Sequence, residues 1–371
     1  MQYITKLKSN PDNPTYKCVF EPSFTLLFEA KPFVIPSLGV QTKHLLSDTG
    51  INYDCIAKYS LSRVPPWVLK PPQFIYALHD IGNKAETPPE LFKSKLNQIL
   101  CDFDGFTRVY TDGSKDGSAV ASAALCGSRV LLKRLPNNSS IFSAEARAIL
   151  LALDSMELSS NDRFLLMTDS MSCLQSIENH KLNHPLVLEI VVRFHQLLSD
   201  GKQLVFMWLP SHVGIAGNSA VDAAAKAALN LPESTVVVPY SDFYPVINTR
   251  IKQCWQRSWD TEVNNKLHSI EPVIKPSKAY HLPRRDELLI HRLRIGHTHL
   301  THAFLLKRED SPECVACQAA LTVEHILLHC VDFMFVRSKY YTCTTLAELF
   351  DKVPSRTIID FIKEVGLYHK L

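Results

Sequence analysis

Apolar positions between residues 105 and 230 follow two different periods in a definite order along the chain. Alternating or continuous apolar runs predict strands at about residues 106–112, 118–126, 128–135, 163–169 and 203–209. Longer runs with apolar residues three and four positions apart predict helices at about residues 143–156, 170–180, 185–199 and 217–229. Three strands joined by short turns, then alternating helices and strands, predict an α/β fold with a five-stranded mixed sheet and helices on both faces.

The chain on either side of this block has a different pattern. Residues 1–63 contain short mixed elements without a clear period, and three proline pairs mark residues 64–90 as an extended connector. A short helical stretch near Glu90–Cys101 leads into the α/β block. We therefore expect an N-terminal connector region over residues 1–104, an α/β domain over 105–230, and a mostly helical module over 231–371.

Composition favours a soluble protein with several modules. The chain has 371 residues, 46% of them hydrophobic, which is enough to form real cores. It contains no run of about 18 consecutive apolar residues, and its N-terminus lacks the apolar segment of a signal peptide. We expect no membrane partner and an intracellular location, with nucleus and cytoplasm both open. Most of the ten cysteines are scattered, which favours reduced thiols.

Four acidic residues occupy ordered positions in the α/β block. Asp112 ends an alternating run just before a Gly-Ser pair, so we expect it at the end of a strand. Glu145 is expected in the first turn of a helix that opens on Ser143, a residue suited to N-capping. Asp169 closes an apolar strand, and Asp222 lies in an alanine-rich helix after a glycine loop.

Four carboxylates at one point would repel one another, because like charges a few ångströms apart raise each other's pKa values. Divalent cations relieve that repulsion, and oxygen ligands without Cys or His favour Mg²⁺ or Mn²⁺ over zinc. Two such ions about 3.5–4 Å apart would suit in-line displacement at a phosphodiester. Any one of these acids taken alone is more simply a solvated surface group.

The motifs that carry the four acids resemble those of type 1 ribonuclease H in its retrotransposon-borne form. They are Tyr110-Thr-Asp-Gly-Ser114, Ser143-Ala-Glu-Ala146, Met167-Thr-Asp-Ser170 and Trp208-Leu-Pro-Ser-His-Val-Gly-Ile-Ala-Gly-Asn218, which leads to Asp222. The resemblance covers about residues 105–230 and implies a ribonuclease H-like fold. It also implies that two Mg²⁺ or Mn²⁺ ions bind four carboxylates: Asp112, Glu145, Asp169 and Asp222.

The same resemblance implies that His212 is a mobile histidine that assists product release or proton transfer. It lies on a loop flanked by Pro210 and Gly214, from which it could move toward a scissile phosphate. A histidine in such a loop is also often an ordinary surface residue. This chain has Ser219 where many family members have glutamate, which removes a nearby acid but none of the four ligands.

The C-terminal part contains a Cys-x-x-Cys turn, Cys314 to Cys317, followed by His325, His329 and Cys330. Such a turn supplies two thiolates to tetrahedral zinc, and a His and a further Cys or His complete the site. On a helix, His325 and His329 share one face, whereas Cys330 reaches the same ion only if the helix ends or bends there. Cysteines of a buried core are the alternative.

The segment from Thr322 to Cys330, preceded by Arg294–His302, resembles the zinc-knuckle-like tail of retrotransposon proteins. That resemblance implies one structural Zn²⁺ with four ligands: Cys314, Cys317, His325 and Cys330. Whether the tail binds nucleic acid or only folds the C-terminus stays open.

Charge is distributed unevenly along the chain. Residues 105–230 carry eleven basic and eleven acidic residues, and the loop over 180–185, which is basic in some relatives, has one lysine. Residues 275–308 carry eight basic residues, Lys278 among them, against two acidic ones. This basic segment is either a solvated helix face or a surface that binds phosphates beside a nuclease without charge excess.

The region from Lys8 to Trp67 resembles the segment between polymerase and nuclease in jockey-like non-LTR retrotransposon polyproteins. The chain has no Tyr/Phe-x-Asp-Asp polymerase signature, so a reverse transcriptase would act in trans. The resemblance implies a ribonuclease for the RNA strand of RNA–DNA hybrids, in the C-terminal remnant of such an element. The alternatives are a catalytically silent nucleic-acid-binding relic and a DNA-cutting, integrase-like enzyme, although typical integrases have three acids.

Overall fold

The computed structural model describes residues 1–21, 30, 34–49, 53–58, 70–82, 85–137, 139–179, 181–275 and 281–371. The described chain falls into two compact units, Met1–Asn248 and Thr249–Leu371. Pro65, Pro66 and Trp67 of the expected connector, and Lys278 of the basic segment, lie outside the described residues. No helix within these ranges is long and apolar enough to cross a membrane.

A six-stranded mixed sheet forms the centre of the first unit. Its strands are β1 (Gln73–Ile75), β2 (Thr107–Asp116), β3 (Ala119–Cys126), β4 (Arg129–Leu135), β5 (Arg163–Thr168) and β6 (Gln203–Trp208). Their order across the sheet is β1-β6-β5-β2-β3-β4. The α/β class and the mixed sheet confirm the prediction, but the sheet has one strand more than the five expected. The sixth strand, β1, pairs in parallel with β6 and comes from the segment predicted to be an extended connector.

Several helices lie wholly within the first unit, and those between Pro89 and Ala228 pack on the sheet. The helices of this unit are α1 (Gln2–Lys8), α2 (Tyr16–Phe20), α3 (Leu38–Thr49), α4 (Pro89–Asp102), α5 (Ile141–Glu157), α6 (Met171–Glu178), α7 (Pro185–Ser199) and α8 (Ala216–Ala228). Helix α9 (Phe243–Asp260) begins in the first unit and ends in the second. Helix α5 begins earlier than predicted, because Ser140 is the N-cap and its side chain accepts the Ser143 N–H at 3.1 Å. Glu145 therefore lies in the second turn of α5, not in the first.

Side-chain alternation along the central strands divides the core between the two faces of the sheet. Phe164 and Phe206 face one side, where they pack with residues of α5, α6 and α7. Leu165 and Met207 face the other side and pack against α4. Helix α8 lies on that second side through contacts of Val221 and Ala225 with β3. Helices on both faces are thus confirmed.

Segments outside residues 105–230 pack on the domain within the first unit. The buried Asp242 accepts hydrogen bonds from the Ser140 N–H at 3.0 Å and from its hydroxyl at 2.9 Å, which ties the chain after α8 to the start of α5. Val238 forms a parallel bridge with Ile56. The contacts of this unit therefore extend on both sides of the α/β block.

The second unit has its own core and is mostly helical, which confirms the predicted helical character of the C-terminal region. Its helices are α10 (Lys266–Ile270), α11 (Arg284–Ile295), α12 (His299–Lys307), the π-helix His325–His329, α13 (Met334–Tyr340), α14 (Leu346–Lys352) and α15 (Ser355–Glu364). A short hairpin pairs β7 (Glu313–Cys314) with β8 (Ala319–Ala320). Leu293, Ile326, Leu349 and Phe361 are buried together at its centre.

Candidate active site and metal centre

Three of the four predicted acidic residues come together beside the central strands of the first unit. Asp112 lies inside β2 instead of at its end, because β2 continues to Asp116 in antiparallel pairing with β3, where Asp112 faces Ala123. Asp169 directly follows β5, the parallel neighbour of β2, and Glu145 projects from α5. One carboxylate oxygen of each of these three acids lies within 4.8 Å of the other two.

The close approach of β2 and α5 depends on Gly113. A Cβ atom at this position would lie 2.7 Å from the backbone nitrogen of Glu145 and 2.8 Å from the Cβ atom of Ala144. The Ser122 hydroxyl on β3 also donates a hydrogen bond of 2.7 Å to the Ala144 carbonyl oxygen, which holds α5 against the sheet. The Gly-Ser pair that suggested a turn is therefore a site of backbone packing within a strand.

Burial and mutual repulsion raise the pKa values of the three carboxyl groups. Desolvation raises the pKa of Asp112 to about 7, and the charges of Asp169 and Asp222 add to the effect. Desolvation and then the charge of Asp112 raise the pKa of Glu145 well above its usual range. The pKa of Asp169 is raised as well, mainly by desolvation. The site therefore favours either bound protons or a bound cation.

One carboxylate oxygen of the cluster has no hydrogen-bond partner among the described residues. The Oε2 atom of Glu145 is shielded from solvent and accepts no hydrogen bond within the described ranges. A carboxylate oxygen in such a place is costly unless a proton or a cation compensates it. The three carboxylates offer hard oxygen ligands without thiolate or imidazole, a donor set that fits Mg²⁺ or Mn²⁺.

The fourth predicted acid, Asp222, lies beside the cluster and is not one of its three grouped oxygens. Its negative charge raises the pKa values of Asp112 and Asp169, so it is close enough to act on both. Its Oδ2 atom accepts a hydrogen bond of 2.8 Å from the Nζ atom of Lys226, one turn further along α8. The Asp222 carboxylate is thus paired with an ammonium group next to the cluster.

Helix α8 reaches the cluster because its first turn lies directly against β2. A Cβ atom on Gly217 would lie 2.2 Å from the ring of Tyr110, so only glycine permits this approach. The predicted helix begins at Gly217, whereas α8 begins at Ala216 and contains Gly217 in its first turn.

The predicted histidine, His212, lies in the loop between β6 and α8. Its side chain is exposed, and its backbone has a φ angle of 61°, a left-handed conformation that is uncommon outside glycine. A positive charge on His212 lowers the pKa of Asp169. The histidine therefore lies near the carboxylates while remaining accessible from solvent.

Two residues of the site carried no predicted role. Asn218 is buried, and its Nδ2 atom donates a hydrogen bond of 3.4 Å to the Asp169 Oδ2 atom. The Trp208 Nε1 atom donates one of 3.1 Å to the Asp169 carbonyl oxygen. Both residues belong to the sequence motif that resembles ribonuclease H. Their place in that motif is the sequence signal that could have pointed to a role at the site. The contact of Trp208 with Asp169 depends on the pairing of β5 with β6, and that of Asn218 on the packing of α8.

A second group of metal-ligating residues lies in the second unit. One ligand atom from each of four residues, Cys314, Cys317, His325 and Cys330, lies within 4.8 Å of the others. The Sγ atoms of Cys314 and Cys330 are 3.8 Å apart. The β7–β8 hairpin carries the Cys-x-x-Cys turn. Three sulfur atoms and one imidazole fit tetrahedral zinc.

A π-helical turn brings Cys330 to this group and leaves His329 outside it. The Cys330 N–H donates a hydrogen bond of 2.8 Å to the His325 carbonyl oxygen, five residues earlier. This widened turn places His325 and Cys330 on the same side of the helix. The side chain of His329 is 58% exposed, and its Nε2 atom lies 3.8 Å from a carboxylate oxygen of Glu324. Zinc binding itself stays a prediction.

The environment of these four residues suits a bound cation. The Nε2 atom of His325 is shielded from solvent and has no hydrogen-bond partner among the residues that the structure describes. Desolvation lowers the pKa of His325 and raises the pKa of Cys330 to about 11. A backbone hydrogen bond from Cys317 lowers the pKa of Cys314.

Part of the predicted basic segment is neutralised inside the second unit. Lys275 pairs with Asp351 at 3.2 Å, and Arg294 forms an ion pair with Glu271. Both acidic partners lie outside residues 275–308, so they do not enter the charge count of that segment. Fewer of its basic groups are therefore available to phosphates than the count suggests. A phosphate-binding role for this segment stays a prediction.

The sheet, its helices and the carboxylate cluster define a mixed α/β domain with an acidic, metal-type site. Residues 105–230 match the family model described as RNase H. The chain is also 28% identical over 159 residues to the Gag-Pol polyprotein of Bovine immunodeficiency virus, a match that covers 39% of this chain and 10% of that polyprotein. The chain thus spans about a tenth of the length of this relative. Residues 105–230 are an RNase H domain.

Two solved structures are similar to about a third of the chain. RNase H1 from the halophilic archaeon Halobacterium salinarum is 22% identical, with a TM-score of 0.28 and coverage of 33% of this chain and 97% of that one. The N-terminal RNase H domain of a Mycobacterium tuberculosis protein is 23% identical, with a TM-score of 0.27 and coverage of 33% and 94%.

Proposed function

We propose that the first unit is a metal-dependent endoribonuclease that cleaves the RNA strand of RNA–DNA hybrids. The observation that carries this proposal is the cluster of Asp112, Glu145 and Asp169, whose ligand oxygens lie within 4.8 Å of one another. The RNase H match over residues 105–230 supports the same class of reaction and the same class of substrate.

The residues have separate roles in this proposal. Asp112, Glu145 and Asp169 would hold two divalent ions, and Asp222 would join them on giving up its ion pair with Lys226. The chemistry that such ions would supply is activation of the attacking water and stabilisation of the charge on the leaving oxygen, for products with 5′-phosphate and 3′-hydroxyl ends.

Other side chains act around the carboxylates. The amide of Asn218 holds one oxygen of Asp169 and so fixes the direction of the other. His212 moves from its exposed loop toward the cleaved phosphate and assists proton transfer or product release.

Substrate choice follows from the shape of the hybrid. RNA-containing duplexes are recognised mainly through helix geometry, phosphates and 2′-hydroxyl groups, because side chains cannot read the bases in a deep, narrow major groove. We therefore expect little sequence preference.

We also propose that the protein derives from a retrotransposon polyprotein of the jockey-like non-LTR type. The similarity to a Gag-Pol polyprotein supports a polyprotein origin, although the match covers 10% of that protein. A reverse transcriptase in trans is the proposed partner, since RNA–DNA hybrids arise from its reaction. One structural Zn²⁺ bound by Cys314, Cys317, His325 and Cys330 would complete the C-terminal tail.

The deciding experiment is a cleavage assay on a labelled RNA–DNA hybrid, with and without Mg²⁺. Asp112→Asn should abolish Mg²⁺-dependent cleavage and leave hybrid binding nearly intact, because the amide keeps the shape but removes the metal-binding charge. Asp116→Asn is the matched control, since Asp116 is an exposed acid on the same strand and should keep full activity. Full activity in Asp112→Asn would refute the mechanism.

The same assay separates the alternatives. A catalytically silent relic would bind the hybrid without cutting it in any metal, and a DNA-directed enzyme would cut a DNA duplex instead. His212→Ala should slow turnover without eliminating it, because the histidine assists steps that water and the metal site also support.

A further inference from the structure

A helix outside the matched RNase H region lies against the loop of the candidate active site. Helix α4 ends at Asp102, before the match begins at residue 105. Its Phe92 is 1% exposed and packs with Met207 at the end of β6. Val213 and Ile215, which flank Gly214 in the His212 loop, belong to the same cluster. The helix is therefore fixed relative to that loop.

Lys93 follows Phe92 on α4, and its ammonium group reaches the loop itself. A Cβ atom on Gly214 would lie 3.0 Å from the Nζ atom and 3.2 Å from the Cε atom of Lys93. Gly214 also has a φ of 75°, so the loop has both the conformation and the open space that a glycine provides. The Lys93 ammonium group thus lies next to the backbone of Gly214, two residues after His212. Two residues of chain span at most about 7 Å.

The ammonium group of Lys93 has no protein partner within the described ranges, where it forms neither an ion pair nor a hydrogen bond. Its side chain is half-buried and is carried by a helix whose other face is in the core. By contrast, Lys226 is paired with Asp222 at 2.8 Å. Lys93 is therefore a positioned cation beside the His212 loop, with its charge available to a ligand.

An RNA–DNA hybrid would bring negatively charged phosphates that a lysine ammonium group can bind. Its phosphates repel the acidic cluster, and residues 105–230 carry no net positive charge to offset that repulsion. The loop over 180–185 contributes one lysine. A cation beside the His212 loop would contact a phosphate of the bound hybrid and so help to fix the register of its backbone.

We propose that Lys93 is a phosphate-binding residue that places the hybrid at the carboxylate cluster, so that α4 is a functional part of the nuclease. This inference rests on the proposed function, because it takes the hybrid to be the ligand. It adds a substrate contact from a segment that precedes the matched domain.

The test measures hybrid binding instead of cleavage. A short fluorescein-labelled RNA–DNA hybrid is titrated with the full chain carrying Asp112→Asn, at several NaCl concentrations. Lys93→Gln in that background should weaken binding at low salt by about two- to fivefold. It should also reduce the slope of log affinity against log salt by about one, because one fewer counterion is released.

Two further variants separate a phosphate contact from a structural role. Lys93→Arg keeps the charge and should retain both affinity and slope. Lys95→Gln is the matched control, because Lys95 lies on the same helix and its Nζ atom bonds to Gln98 at 3.0 Å. It should behave like the parent protein. An unchanged slope in Lys93→Gln, or an equal loss in Lys95→Gln, would overturn the proposal.

The two proposals fail in different ways. If the unmutated chain does not cleave the hybrid in Mg²⁺, the nuclease proposal fails, and the salt slopes still decide the role of Lys93. If the chain cleaves the hybrid while Lys93→Gln binds with the parent slope, the nuclease stands and Lys93 is not a phosphate ligand. Lack of hybrid binding by the parent would overturn both.

Discussion

Gly113 and Glu145 approach so closely that a methyl group on the glycine would lie 2.7 Å from the glutamate nitrogen. The neighbouring residue, Asp112, supplies one of the clustered carboxylates, so this contact sets the separation of β2 and α5 at the site. The packing of two backbones therefore determines whether two acids can share a cation.

Gly113→Ala should reduce both stability and activity. The added Cβ meets backbone that cannot move without displacing α5, and such overpacking costs about 1–3 kcal/mol. Any displacement also moves Glu145 away from Asp112, so cleavage should fall further than stability alone explains. Urea unfolding and the cleavage rate measured on the folded protein check this.

Gly117→Ala is the control for Gly113→Ala. Gly117 has a φ of 57° and no atom within 4 Å of an added Cβ. Alanine there should cost about 1 kcal/mol through its backbone conformation and leave the cleavage rate unchanged. Equal effects of the two substitutions on cleavage would contradict the packing argument.

The raised pKa of Asp112 predicts how stability depends on pH. Its folded-state pKa is about 7, against an ordinary value of 3.8, so the folded protein keeps a proton that the unfolded chain loses between about pH 4 and pH 7. In a chelator, the first unit should lose stability as pH rises through this window, by on the order of a few kcal/mol. Added Mg²⁺ should stabilise it more at pH 8 than at pH 5, because the metal competes with protons.

Hydrogen exchange of β2 and β5 at both pH values measures this effect within the first unit. In chelator, Asp112→Asn should remove part of the pH dependence and should be more stable than the unmutated protein at pH 8. A metal-free protein that becomes more stable between pH 5 and pH 8 would contradict the predicted sign.

Lys226 should set the Mg²⁺ requirement of the site. Its Nζ atom lies 2.8 Å from the Asp222 carboxylate, so a metal and the ammonium group compete for the same oxygens. Lys226→Gln should lower the Mg²⁺ concentration needed for half-maximal cleavage by up to about fivefold, since an exposed ion pair is weak and competes only modestly with a metal. Asp222→Asn should change that concentration in the opposite direction. Identical Mg²⁺ titrations for Lys226→Gln and the parent would exclude this competition.

The α/β block could be predicted because its strands and helices are long and strongly periodic. The three-residue strand Gln73–Ile75 could not, because so short a segment becomes a strand only through its pairing with β6. The position of Asp112 inside β2 was also missed, since pairing with β3 carries the strand past residues that favour turns.

Tertiary contacts explain the remaining differences at the two sites. The grouping of His325 with Cys330 depends on a π-helical turn, which a pattern of 3.6 residues per turn does not reveal. Likewise, the role proposed for Lys93 depends on the packing of α4 beside the His212 loop, and the two segments are far apart in the sequence.

The geometry of the cysteine group predicts different effects for two adjacent residues. Cys330→Ser removes a proposed zinc ligand that is itself buried and follows Ile326, a residue of the core of the second unit, by four positions. Structural zinc contributes on the order of 10 kcal/mol in small modules, so this change should loosen the chain from about residue 310 onward. His329→Ala should have no such effect, because that side chain is largely exposed and points away from the group.

Metal analysis and hydrogen exchange of the purified full chain, reduced and supplied with zinc, test this contrast. One zinc per chain is expected in the unmutated protein and in His329→Ala, and less than one in Cys330→Ser. Exchange in β2 and β5 should stay the same in all three proteins, because those strands belong to the other unit. Zinc near zero in the unmutated chain would mean that the cysteines are core residues, and zinc lost in His329→Ala would mean that the fourth ligand is His329.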